Sequence, residues 1–463
     1  MNHAVSLVVD SAMTVFALAM VAAVAAGILW LFISSSAKKT LCIAYLLIGF
    51  CLESLFVKQP YLQVGLQVYP NDLISVLVLI SIMFAFLRRP MPIAEAPFLV
   101  WLAFGGMALM SFVVGTGEYG KNAGTEFRPF FYLWVAGLYC CTADFSESDL
   151  RRIARWCVWA AYTFIGIAIY FWIGVESGLI SRAEVFDYAG GGKVFRPIGS
   201  HATFFVGSVA LAQILAWVRG SGTRWSGWHA GALTLFVVVL QHRSVWIAFL
   251  VGALYLMTQE RKHLTRRLPL LIGLVLVFGL AITVGAGFGL LDELFERLTQ
   301  STLSMADSGG TFAARVDGWE RLVDTWTESS VRTVLLGFPF GYGYTRLYNG
   351  QLIEFAPHNY YIDLVLRVGV IGAVIFVVAT LMAIVHSLAA KTESEFEYLL
   401  MRSLGISLLA ATVYYIAYPS YYILGGATGL ALAQIIRYRR IRAQRLRELP
   451  SLWKQPLNSR PAR

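Results

Sequence analysis

Long apolar runs separated by short polar or charged breaks recur along almost the whole chain. They cover approximately 11–34, 40–56, 72–87, 97–114, 129–145, 153–175, 203–218, 226–241, 244–258, 268–290, 360–388, 399–417 and 420–436. Most approach the roughly 20 residues that a helix rising ~1.5 Å per residue needs to cross ~30 Å of hydrocarbon. The pattern predicts an all-α integral membrane protein with 12 or 13 transmembrane helices, the count turning on whether Tyr418-Pro419-Ser420 is a tight turn or a kink. Between the last two groups of runs lies a stretch too polar to span. The division expected is a bundle of about ten helices over 1–290, one large loop over 291–359, C-terminal helices over 360–436 and a basic tail over 437–463.

Within the large loop the pattern changes period. Residues 291–304 and 311–329 read as amphipathic helices, with Leu294, Leu298 and Leu303, then Trp319, Leu322, Val323 and Trp326, near helical spacing. The stretch Gly337-Phe338-Pro339-Phe340-Gly341-Tyr342-Gly343 enforces turns. No Gly-Lys-Ser/Thr follows it, so it is not a phosphate-binding P-loop. After it, Ala356-Pro357-His358-Asn359-Tyr360-Tyr361 opens directly into an apolar run.

Composition removes the soluble alternative for a chain of this length. Hydrophobic residues make up 58% and charged residues 14%, against roughly 45–50% and 25% in soluble domains. The net charge of +10 could suggest nucleic acid, but no basic stripe is interleaved with stacking aromatics. On a polytopic chain the excess is the signature of cytoplasmic loops. Lys38-Lys39, Arg88-Arg89, Arg151-Arg152 with Arg155, Arg261-Lys262 with Arg266-Arg267, and the tail arginines from Arg437 to Arg447 mark that side consistently from the second run to the eleventh. The N-terminus then lies outside, with 11–33 a first span and not a cleavable signal, since it has no basic leader. The five cysteines sit in apolar runs without ligand spacing, so neither a disulfide framework nor a zinc site is expected.

With sidedness assigned, few basic residues remain outside, and several stand at the ends of apolar runs. They are Arg128 in Glu126-Phe127-Arg128-Pro129, Arg196 in Phe195-Arg196-Pro197-Ile198-Gly199, Arg243 in Gln241-His242-Arg243-Ser244, and Arg315 four residues before Trp319. An arginine at membrane depth is expensive and calls for an anionic partner or a function, unless it only snorkels to the interface. Guanidinium groups bind phosphate oxygens through paired planar hydrogen bonds, so several converging would suit a diphosphate headgroup. His358 should stand near a helix N-terminus, where the dipole and nearby arginines disfavour imidazolium. It would then be neutral near pH 7 and able to accept a proton from a hydroxyl, unless it merely caps its helix. His201, after Gly199-Ser200, could add polarity or serve structurally, and no acidic metal pair, HExxH or GxSxG pattern is present.

Arg196-Pro197-Ile198-Gly199, Arg243 at a turn, Arg315 with Trp319, the 337–343 stretch, and Pro357-His358-Asn359-Tyr360-Tyr361 followed by Gly369 and Gly372 together resemble the O-antigen ligase and Wzy-type polymerase superfamily, most strongly over 190–375. At Arg243 many ligases carry Ser-Arg-Gly, where this chain has His242-Arg243-Ser244. The resemblance implies a GT-C-like, inverting glycosyltransferase of the bacterial inner membrane, needing neither metal nor cofactor. It would transfer a glycan from an undecaprenyl-diphosphate-linked oligosaccharide, at the periplasmic face, to a glycan or lipid A-core acceptor. It further implies that Arg196, Arg243, Arg315 and Arg128 hold the diphosphate and that His358 activates the acceptor hydroxyl, supported by Asn359, Tyr360, Trp319 and His201. Membrane lipids and other polysaccharide assembly proteins are the partners implied; nucleic acid is not.

The reading leans to an exopolysaccharide or O-antigen polymerase, with a ligase as the alternative. A transporter or flippase would instead need midplane ionisable residues, broken helices and an internal repeat, and no inverted repeat is evident. Asp72, Glu53 and Asp363 could form a proton relay, though they are scattered. A lipid-linked polymerase of the shape, elongation and division type would rely on a loop aspartate, for which Asp307, Asp317 and Asp324 are candidates.

Overall fold

A computed structural model describes residues 39–453 apart from 57–58, 65, 89–94, 182–195, 266, 268–310, 349–350, 391 and 393, together with residues 19, 20, 23, 26 and 27. The apolar run at 268–290, the amphipathic helix expected at 291–304, the boundary at 290, all but five positions of the run at 11–34, and the last ten residues lie outside that description.

The other eleven runs coincide with helices: α1 (Lys39–Leu55), α2 (Pro70–Arg88), α3 (Ala96–Tyr119), α4 (Lys121–Thr142), α5 (Glu147–Glu176), α6 (Ser200–Arg219), α7 (Ser226–Val239), α8 (Arg243–Gln259), and, after the loop, α11 (Tyr360–Ala389), α12 (Glu395–Tyr414) and α13 (Tyr422–Trp453). The loop carries α9 (Thr311–Thr327) and α10 (Val331–Leu336). Two antiparallel hairpins are added, β1–β2 (Leu62–Val64, Leu66–Val68) and β3–β4 (Arg346–Tyr348, Gln351–Ile353). Six of the described helices are long and apolar enough to cross a bilayer, and the chain is an all-α integral membrane protein. Tyr418-Pro419-Ser420 is a turn between α12 and α13, and α13 continues through the basic tail to Trp453.

The helix α4 is the core of the bundle. It packs against α2, α3 and α13, with Leu133, Val135, Ala136 and Leu138 buried. Between lipid-like surfaces, close van der Waals approach is what holds helices together, and small residues permit it. A Cβ at Gly425 would stand 1.9 Å from the Leu133 carbonyl oxygen, and one at Gly429 2.0 Å from that of Gly137. Gly429→Ala is expected to cost about 1–3 kcal/mol through overpacking, read as a lowered thermal midpoint in detergent.

The helix α11 is broken at Gly369 (φ 63°, ψ −174°), where a Cβ would fall 2.2 Å from the Leu335 carbonyl oxygen. The break frees the Leu366 carbonyl, which accepts from the Phe338 N–H at 2.7 Å. The short outer piece of α11 thereby becomes the floor on which the 337–343 stretch rests.

The same floor contains Arg367, with no exposed surface. Its Nη2 pairs with Glu126 Oε2 at 2.8 Å and donates to the Gly343 carbonyl at 2.8 Å, and its Nε donates to the Tyr344 hydroxyl at 3.2 Å. Tyr344 donates in turn to Asp363 at 2.6 Å, while Glu126 accepts the Gly341 and Gly343 N–H groups. Asp363 thus belongs to a structural network that ties α4, the glycine-rich stretch and α11 together.

Candidate functional site

Five chain segments meet at the end of the bundle where this loop packs. The first is the extended 196–199 segment leading into α6, with Gly199 at the N-cap. The second is the α7–α8 turn, where His242 is buried and its Nε2 lies 3.0 Å from the Ile198 carbonyl. With the proton on Nε2, His242 staples the two segments together. Burial, then the charge of Arg196, push its pKa down to about 3, so the ring stays neutral. The staple sets Arg196 and Arg243 within electrostatic reach of each other. Arg196 Nε is buried with no hydrogen-bond partner among the described residues.

The third segment is α9. Arg315 Nη1 donates to the Ala417 carbonyl at 3.4 Å, and Trp319 Nε1 donates to the Pro357 carbonyl. The fourth is the loop running through β3–β4 into α11. Asn359, not His358, caps α11: its Oδ1 accepts from the N–H groups of Tyr361 at 3.0 Å and Ile362 at 3.2 Å. The cap leaves the His358 ring out of that duty. Tyr360 locks the helix start from its backbone, donating its N–H toward the Tyr415 and Tyr418 carbonyls, and its ring is fully buried.

His358 keeps an exposed side. Its pKa is lowered from the ordinary imidazole value, first by the burial of the ring and then by the charges of Arg315 and Arg346. Arg346 is a site residue that the sequence reading missed. It is 8% exposed, donates to the Tyr344 carbonyl at 3.0 Å and the Phe355 carbonyl at 2.9 Å, and lies 4.8 Å over the Phe355 ring. Burial lowers its pKa from the ordinary guanidinium range. Nothing in the alternation of that hairpin marks Arg346 out, since it becomes a site residue only once the loop is folded. The hydrogen bonds of Arg315 and Arg346 given above end on carbonyl oxygens, which fix the guanidinium groups without cancelling their charge.

The fifth segment is the end of α12 and the turn after it. Tyr414 places its hydroxyl 3.0 Å from both Ser200 Oγ and His201 Nδ1, and His201 stacks on Tyr421 at 4.7 Å. His201 and His358 lie within electrostatic reach of each other. Beside His201 an apolar cavity of about 270 Å³ runs between α1, α4, α5, α6, α12 and α13, with Leu46, Cys140, Phe204 and Leu404 among its walls and His201 and Tyr421 lining it where α6 and α13 begin.

Of the sequence candidates, the structure gathers Arg196, Arg243, Arg315, Trp319, His358, Asn359, Tyr360 and His201. Arg128 is engaged elsewhere, which corrects the expectation for it. The helix α4 runs unbroken through Pro129, so Arg128 projects from its second turn toward α2. There it pairs with Asp72 at 2.9 Å, donates to the Gln67 carbonyl at 2.7 Å and lies 4.8 Å over the Tyr69 ring.

Two non-glycine residues among those described have positive φ, Gln241 at 56° and His358 at 47°. Each such residue costs on the order of 1–3 kcal/mol and persists where the surroundings over-determine it, commonly at functional sites. Here they fall in the two turns that present Arg243 and the imidazole.

Residues 228–377 match the family model described as O-Antigen ligase (Wzy_C). The matched region runs from α7 through the first half of α11 and so takes in Arg243, Arg315, Arg346 and His358. The resemblance to the O-antigen ligase and Wzy-type superfamily is therefore supported over that third of the chain. No curated protein and no solved structure matches the chain.

Proposed function

We propose that the chain is a glycosyltransferase that moves a glycan from undecaprenyl diphosphate to an acceptor hydroxyl at the periplasmic face of the bacterial inner membrane. The observation that carries this reading is the placement of Arg315 and Arg346 beside His358, an imidazole biased toward its neutral form, with Arg196 and Arg243 set close to each other in the adjoining turn. The acceptor O–H gives its proton to His358 as its oxygen attacks the anomeric carbon. The bond from that carbon to the phosphate oxygen breaks, and undecaprenyl diphosphate leaves with its charge met by the guanidinium groups. Attack opposite the leaving group inverts the anomeric centre. Fixed donors aimed at a developing charge in a low-dielectric site supply the stabilisation. The apolar cavity beside His201 suits the first isoprene units of the carrier, placing hydrocarbon in the membrane and phosphate at the arginines.

The test is transfer by the purified chain from a lipid-diphosphate-linked glycan. Arg243→Lys is expected to lower kcat/KM about 10- to 100-fold, because a point charge replaces a planar two-pronged donor. Undiminished donor affinity in that variant would remove Arg243 from the diphosphate site. Among acceptors we favour the next lipid-linked repeat unit, as in a polymerase. Deleting the gene in its host should then leave core lipopolysaccharide intact and remove the secreted or long-chain polymer. Long chains stranded on the carrier lipid would instead identify a ligase.

A further inference from the structure

A second pocket opens at the same end of the bundle, on the opposite side of α4 from Phe130 and Tyr360. It holds about 690 Å³ between the β1–β2 hairpin, α2, α3 and α4. That volume is within the ~300–1,000 Å³ typical of ligand sites. Its rim carries the amides of Gln63, Gln67 and Asn122, all on exposed residues. Its wall carries the half-buried rings of Phe112, Phe127 and Phe131, the first two stacked at 4.3 Å.

The chemistry of this lining is specific. Each amide offers both a donor and an acceptor, the combination that a polyol hydroxyl requires. Aromatic faces suit the C–H face of a pyranose ring. The one ion pair in the wall, Arg128 with Asp72, is internally neutral, so Lys121 is left as the single net charge among the lining residues. This is a lining for a largely uncharged, hydroxyl-rich ligand, quite unlike the arginine-bearing site of His358.

A chain of side-chain contacts runs from the pocket wall to His201. Asp72 accepts from the Tyr132 hydroxyl, the Tyr132 ring meets Tyr422 edge-on at 6.5 Å, Tyr422 stacks on Tyr421 at 4.3 Å, and Tyr421 stacks on His201. A donor glycan is anchored by its diphosphate at the arginines. The nucleophilic end of an acceptor has no such anchor and must be held by its sugars to reach a productive geometry.

We infer that the pocket between the β1–β2 hairpin and the α3–α4 corner binds the oligosaccharide of the acceptor. This assignment rests on the transferase reading. Arg128, displaced from the diphosphate site, here serves as a positioning residue that fixes the hairpin across the pocket.

Gly124 lines the pocket, and a Cβ there would meet nothing within 4 Å. Gly124→Ala therefore adds a methyl group that meets nothing and leaves the pocket open, and Gly124→Trp is the variant that fills it. The full chain in phosphatidylethanolamine–phosphatidylglycerol nanodiscs is mixed with free oligosaccharide released by mild acid from the host's own surface polysaccharide, and saturation-transfer NMR reads binding. Wild type and Gly124→Ala should saturate the sugar protons, Gly124→Trp should lose the signal at least tenfold, and Asn122→Ala combined with Gln63→Ala should weaken it. In the transfer assay Gly124→Trp should raise the acceptor KM about tenfold or more with kcat little changed.

Equal saturation in wild type and Gly124→Trp, no saturation in wild type, or a loss of kcat at constant KM would each overturn the assignment. So would native mass spectrometry showing that Gly124→Trp expels a bound phospholipid while glycan binding persists. The NMR measurement needs no turnover. A chain that binds the sugar but transfers nothing would sink the proposed function and leave the pocket standing.

Discussion

His358→Ala is expected to abolish glycosyl transfer, with kcat/KM falling about 10²- to 10⁴-fold, the usual worth of a positioned general base. Expression, membrane insertion and thermal stability should change little. The side chain is exposed on one side, and the cap of α11 belongs to Asn359. Truncation relieves none of the backbone strain at φ 47°, because alanine is no better suited to that region than histidine. The acid limb of the pH profile offers an independent check. A histidine with a lowered pKa stays neutral further into acid, so kcat/KM should hold as pH falls past 6.5, the ordinary imidazole value, and drop only lower. Arg346→Gln removes one of the two charges that lower it, and should move the limb back toward neutral pH. A limb that does not move with Arg346, or full turnover by His358→Ala, would take the imidazole out of the reaction.

Most of the membrane helices were legible in the chain because the bilayer imposes one rule: backbone polar groups must be satisfied within each apolar run. The eleven runs that fall within the described residues are helices for that reason. What stayed hidden was decided by contacts between distant segments. The run at 360–388 is apolar throughout and reads as one helix, yet it breaks at Gly369 because the 337–343 stretch needs the Leu366 carbonyl. Pro129 suggested the start of a span and an arginine left at its end, but α4 continues through it and Arg128 finds Asp72.

The candidate site divides in the same way. Its arginines and His358 stood out as charges beside apolar runs. The His242 staple and the role of Arg346 depend on which loops meet, and no local spacing encodes that. Arg367 did carry a signal, an arginine between Leu366 and Val368 inside an apolar run, of the kind that marks a partner or a function.

Arg367→Ala is expected to be the most destabilising of these substitutions. The guanidinium is fully buried, and among the described residues it is the cation paired with Glu126, at 2.8 Å, while binding the Gly343 carbonyl and the Tyr344 hydroxyl and lying 4.1 Å over the Tyr344 ring. Removing one member of a buried pair costs on the order of 3–5 kcal/mol, chiefly because the other charge is left without an answer. Here two carboxylates, Glu126 and Asp363, would face each other across the space it vacates. Arg367→Lys should recover part of the loss by restoring charge without the planar fork. The double variant Arg367→Met with Glu126→Gln should recover more, since it removes the orphan as well. Because Glu126 also holds the Gly341 and Gly343 N–H groups, the damage should appear first in the loop: limited proteolysis within 337–343 ought to accelerate before the bundle melts. If Arg367→Ala melts with the wild type and resists protease equally, this network does not secure the floor on which the loop carrying His358 is built.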